Sequence, residues 1–181
     1  MDLTPERIRW GLIAFFSLAL ALFTSAPLLC DPGAVNGLDG TPVVPDYFDL
    51  WGTLNPLPGT VYAVGDILCH QDAARSFELN GSQLPICVRD ISALAGLIVG
   101  LLVSVRFGAY TSRSKFLIPF FAVSFALMIA DVVVQNVYGL NVFSARIVTG
   151  LMCGAAVAFA IDRWLRASAR ALGMPADKVY K

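Results

Sequence analysis

Ile91-Ser-Ala-Leu-Ala-Gly-Leu-Ile-Val-Gly-Leu-Leu-Val-Ser-Val105 is an apolar run without a single charged residue. Extended by its flanks it predicts a span over 90–106, near the ~20 residues that cross a bilayer as a helix. Within it Gly96 and Gly100 stand four apart and share one helix face. Lipid gives helices no hydrophobic reason to associate, so membrane helices pack where small residues let backbones approach. The same spacing recurs at Gly150 and Gly154. Packing of the spans that carry these pairs is the favoured reading, with a homodimer face as the rival.

Three further apolar runs of spanning length are 8–29, 116–136 and 146–164, each with few charged residues. The chain is 57% hydrophobic and 14% charged, against roughly 25% charged residues in soluble domains. The expected fold is therefore all-α, a polytopic membrane bundle of four transmembrane helices forming a single membrane domain over 1–181. An irregular, partly helical extracytoplasmic segment separates the first and second spans. Net charge is zero, and with no basic face a nucleic-acid partner is excluded. The lipid bilayer is the first partner implied, with other membrane subunits or a second copy as further ones.

Thr4-Pro5-Glu6 reads as a helix start: a capping hydroxyl, a proline at the first helical position, and an acid at the positive dipole end. Trp10 to Leu29 then runs uncharged. A cleaved signal peptide is the rival, but Pro27 follows the Thr24-Ser25-Ala26 stretch and Leu29 precedes Cys30, so a retained span is expected. Residues 30–89 change character. Asp31-Pro32-Gly33, Asp39-Gly40, Pro42, Pro45, Asn55-Pro56 and Pro58-Gly59 are turn signals. Tyr47, Phe48, Leu50 and Trp51 suit a membrane interface. Thr60 to Cys69 predicts a short helix with one apolar face.

Basic residues concentrate at the N-terminus, between Arg106 and Lys115, and in the tail 165–181, while Cys30 to Ile67 has none. The positive-inside rule then puts the protein in the cell membrane as a multi-pass chain with both termini cytoplasmic. Arg75, Arg89 and Arg146 fall on the outer side, against the rule. Asp131 and Gln135, one turn apart near the end of the third span, would approach the same outer mouth with Gln71, Asp90 and these arginines. An aspartate within a span costs ~2.5–3.5 kcal/mol on insertion scales. An ion pair with Arg89 or Arg146 is the simplest account of Asp131. A proton route through it lacks steps, since no second ionisable group is expected deeper in any span.

The segment Cys69 to Asp90 holds the sole histidine, His70, and two of the four cysteines. Three chemistries fit Cys69, His70 and Cys87. A Cys69–Cys87 disulfide would suit an extracytoplasmic site and stabilise by roughly 3 kcal/mol. A metal site on Cys69, His70, Cys87 and Asp90 would supply four donors to zinc or iron, although adjacent side chains diverge. A reactive thiol would need activation by His70 or arginine. Cys30 is a further candidate donor or disulfide partner, and Cys153 a packing residue. Asn80-Gly81-Ser82 fits a glycosylation sequon, with Gly81 serving a turn.

Cys69-His70-Gln71, Arg75-Ser76-Phe77, Gly81, Leu84-Pro85, Cys87-x-Arg89 and Asp131-x-x-x-Gln135 resemble a family of small predicted membrane proteins of archaea and bacteria with no assigned activity. The resemblance covers roughly Tyr62 to Gly154. Its pattern places a second cysteine three residues after the first, where this chain has Asp90. The resemblance implies that the cluster is one site. The functional expectation is a binding or accessory subunit of a larger membrane complex, its outer segment stabilised by a disulfide or a metal. A redox or hydrolytic membrane enzyme using Cys69, His70 and Asp131, and a transporter of a small ion, are the alternatives.

Overall fold

The computed structural model describes residues 4–41, 45–113 and 115–174, with the backbone alone for 108–113. Pro42 and the end of the basic tail, with Lys178 and Lys181, lie outside the described residues. The chain is mostly helical, and among the described residues four helices are long and apolar enough to cross a membrane. It forms two compact units, one of residues 1–17 with 92–181 and one of residues 18–91.

Helix α1 (Pro5–Ser25) is followed by a 3-10 turn over Ala26–Leu29. Thr4 Oγ1 accepts the Arg7 amide at 3.4 Å, so the threonine caps as its position suggests. Helix α4 spans Val88–Arg113, with non-helical angles at Phe107. Its apolar part therefore ends close to the expected 106, and the short stretch beyond the kink carries Arg113. Helix α5 (Leu117–Tyr138) stops at Gly139, whose φ of 65° and amide bond to Gln135 O form a left-handed cap.

Helix α6 (Phe143–Ala171) runs beyond the expected 146–164 at both ends. The residues after Trp164 include Leu165, Ala167, Ala169 and Ala171, all good helix formers, so nothing stops the helix before Gly173. There Gly173 (φ 72°) donates to Arg170 O and Met174 donates to Ala169 O, the paired bonds of a Schellman motif.

In the first unit α5 and α6 are joined by four residues and pack along their length. Helices α4 and α6 meet through their glycines. A Cβ on Gly96 would strike Leu151 O, one on Gly154 would strike Ala93 O, and one on Gly100 would sit 2.6 Å from Ala158 Cβ. Ile13 of α1, Leu101 of α4 and Ala158 of α6 form a buried core, with Phe16 and Leu97 against it.

Two short helices, α2 (Phe48–Thr53) and α3 (Pro56–Leu68), pack together in the second unit. Pro56 sits in the first turn of α3, where its missing amide costs nothing. The helix thus starts earlier than Thr60. Trp51 stacks on Tyr62 with centroids 5.1 Å apart. Strands β1 (Glu78–Leu79) and β2 (Ser82–Gln83) pair antiparallel. The turn between them is Asn80-Gly81, both at positive φ, the favoured two-residue hairpin link.

Candidate metal centre

Cys69 lies at the C-terminal end of α3, its amide bonded to Gly65 O at 2.8 Å. Cys87 lies just before α4 and Asp90 in its first turn, where a carboxylate meets the positive end of the helix. Folding brings the two sulfurs and one Asp90 oxygen within 4.8 Å of one another. The Cys87 amide donates to Cys69 Sγ at 3.3 Å, and Cys87 Sγ donates to Asp90 Oδ2 at 3.1 Å. Cys69 is buried and Cys87 half-buried, and both are free thiols. A hydrogen bond with Cys87, then burial, then the charge of Asp90 raise the Cys69 thiol well above its ordinary range. The same bond lowers Cys87, against burial and Asp90, which pull it up.

The centre is held by two buried glutamines. Gln71 has a positive φ of 48°. Its Nε2 donates to Tyr62 O at 2.9 Å and Pro85 O at 3.0 Å, tying α3 to the approach to Cys87. Gln83 Nε2 donates to Gln71 O at 2.6 Å, while Gln83 Oε1 accepts the Leu38 amide. The Tyr62 hydroxyl donates to Gln83 O at 2.6 Å. Gly65 has no room for a side chain, since a Cβ would strike Pro85 O. Gln71 is therefore a backbone brace in this unit. Gln83 and the buried Asp66, which accepts Trp51 Nε1 at 2.8 Å, escaped the sequence reading, whereas Tyr62 belongs to the apolar face expected of the short helix. The only signal of Gln83 and Asp66 was polar residues in an otherwise apolar short helix and hairpin.

His70 is exposed and stands outside the thiol–carboxylate group. The adjacent side chains diverge, as expected where α3 gives way to extended backbone at Cys69 (φ −140°, ψ 154°). Cys30 also lies apart, its Sγ donating to Ala26 O at 3.5 Å. Arg75 makes a half-buried ion pair with Asp72 at 2.8 Å. Arg89 is half-buried in the first turn of α4. The Asn80 side chain donates to Pro27 O and Cys30 O, which engages the amide nitrogen of the sequon in the fold.

In the first unit Asp131 accepts Gln135 Nε2 at 2.8 Å and Thr149 Oγ1 at 3.4 Å. Arg146 is buried one turn before Thr149. Beyond Asp131, three further ionisable side chains are buried in helices α1 and α6, near the ends of the expected spans. Arg9, Asp162 and Arg166 are each 0–1% exposed. Arg9 Nη1 meets Asp162 Oδ1 at 2.9 Å and Arg166 Nε meets Asp162 Oδ2 at 2.8 Å. Arg166 Nη2 also donates to Ser104 O at 3.3 Å. Arg9 and Asp162 are 153 residues apart, so periodicity along either helix carries no sign of the pair.

Four long apolar helices and the small hairpin-bearing unit define a polytopic membrane protein. The chain belongs to the family described as predicted membrane protein (DUF2085), whose model matches residues 69–160. The match begins at Cys69 and takes in Cys87 and Asp90, but leaves Arg9, Asp162 and Arg166 outside. No curated protein and no solved structure matches the chain.

Proposed function

We propose that this is a cell-membrane protein with both termini cytoplasmic, whose outward unit binds zinc or iron on Cys69, Cys87 and Asp90. It serves as a binding or accessory component of a larger membrane complex. The observation that carries the reading is the convergence of two thiols and a carboxylate from two elements, braced by Gln71. Bonds of about 2.3 Å to sulfur and 2.0–2.2 Å to oxygen require donors within roughly 4.5 Å of each other, close to the spacing found. Thiolate donors select zinc and iron over magnesium or calcium. Three protein donors leave a fourth position for water or for a group from a partner. The charge asymmetry along the chain supports the outward placement.

A Cys69–Cys87 disulfide is the second reading, favoured by the direct contact of the two residues. The enzyme alternative has less support, because His70 points its chemistry to solvent rather than to the thiols. The transporter alternative rests on Asp131, whose carboxylate is engaged by Gln135 and Thr149.

Metal content and denatured free-thiol count on one purified sample of the full chain test the proposal. A stoichiometric metal with all four thiols titratable after chelation is expected, as is its loss in Cys87→Ser and retention in His70→Ala. Absence of metal with two thiols missing favours the disulfide. Absence of metal with every thiol free defeats both readings.

A further inference from the structure

Helices α5 and α6 leave a groove between them, in the first unit, of about 220 Å³. Leu117, Ile118 and Phe121 form one wall, and Ala156 and Ala160 the other, with Arg163 at one end. Ala156, Ala160 and Arg163 fall at positions i, i+4 and i+7 of α6, a single helix face. The alanines make the recess and the arginine closes it.

Arg163 differs from its neighbours. Asp162, the adjacent acid, is engaged by Arg9 and Arg166. Arg163 is exposed, and among the described residues it has no hydrogen-bond or ion-pair partner. Its depth is set by helix length. The twenty steps from Phe143 to Arg163 rise about 30 Å at 1.5 Å per residue, the thickness of a hydrocarbon core. The guanidinium then reaches headgroup level at the α6 end, beside Trp164, which is 67% exposed and of a type enriched at that level. Lys115, exposed just before α5, lies at the same end of this helical hairpin.

An apolar recess running into the bilayer beneath an exposed cation has the chemistry of one occupant. We propose that the groove is a site for an anionic phospholipid, one acyl chain lying against Phe121 and Ala160 and the phosphate meeting Arg163. The site depends on membrane embedding, and on neither the metal centre nor the orientation of the chain.

Native mass spectrometry of the full chain released from detergent tests it, with phosphatidylglycerol and phosphatidylcholine of identical acyl chains as probes. The wild type retains phosphatidylglycerol preferentially. Arg163→Gln reduces that preference by about fivefold, the worth of one basic residue near an anionic headgroup, and Arg163→Lys keeps it. Ala160→Phe fills the recess at an exposed position and lowers occupancy by both lipids. Equal retention of the two lipids by the wild type overturns the proposal. A preference unchanged in Arg163→Gln, or occupancy unchanged in Ala160→Phe, also overturns it, by placing the bound lipid elsewhere on the protein.

Discussion

Asp162 and Asp90 are both carboxylates set among polar partners in a largely apolar protein, yet their surroundings differ. Asp162 is buried between two guanidiniums, each oxygen within 3 Å of one of them. Asp90 is half-buried and accepts from the thiol of Cys87, whose backbone amide donates to the sulfur of Cys69. The first cluster engages both oxygens of its carboxylate with guanidiniums, which lets the acid sit inside the bundle. The second has three donors of metal-binding type facing one another. A carboxylate with both oxygens engaged by guanidiniums points to architecture, whereas two thiols and a carboxylate converging on one another point to a ligand.

The sharpest way to break the contrast is Asp162→Ala. Removing one partner of a buried pair typically costs about 3–5 kcal/mol, because the charges left behind remain desolvated. Denaturant unfolding in micelles should show a loss of that order, and a change below about 1 kcal/mol would make the cluster far less important than its burial implies. Gly154→Ala is next. Its Cβ would meet the Ala93 carbonyl and the Leu97 amide of α4, backbone that cannot rotate away. Overpacking of this kind costs about 1–3 kcal/mol, and the same unfolding assay reads it.

On the other side of the comparison, Gln71→Leu removes the amide that ties Tyr62 O to Pro85 O. Positioning groups around a metal commonly contribute about 10–100-fold in affinity. A chelator competition should therefore show weaker metal binding while Cys69, Cys87 and Asp90 remain in place. The pH dependence is smaller per unit and has a definite sign. The Cys69 thiol is pushed above its ordinary range, so it holds its proton at neutral pH and the metal must displace it. Affinity then rises with pH, about tenfold per unit for each proton released. Flat affinity from pH 6 to 8 would remove Cys69 from the ligand set.

The two clusters also differ in how far the sequence reveals them. Four apolar runs, the Thr4-Pro5 start and the Gly139 stop act over one or two turns, and such local signals place helices. Cys69, Cys87 and Asp90 lie within about twenty residues, so their proximity is legible even without a fold. Their exclusion of His70 is not, because it depends on the extended backbone at Cys69 after α3 ends. Gln71 was legible as polar but not as a brace, since its partners are main-chain carbonyls that no side-chain pattern marks. The Arg9–Asp162 pair was invisible for a different reason. Each residue sits near the end of its predicted span, where a charged side chain is expected to reach the headgroups, and only the packing of α1 against α4 and α6 turns both inward.

The central claim concerns which atoms hold the metal, and X-ray absorption at the zinc or iron edge of the metal-loaded protein reads those atoms directly. The account predicts a shell of two sulfurs at about 2.3 Å with oxygen or nitrogen at about 2.0–2.2 Å, and loss of one sulfur in Cys87→Ser. A spectrum without sulfur in the first shell would contradict it.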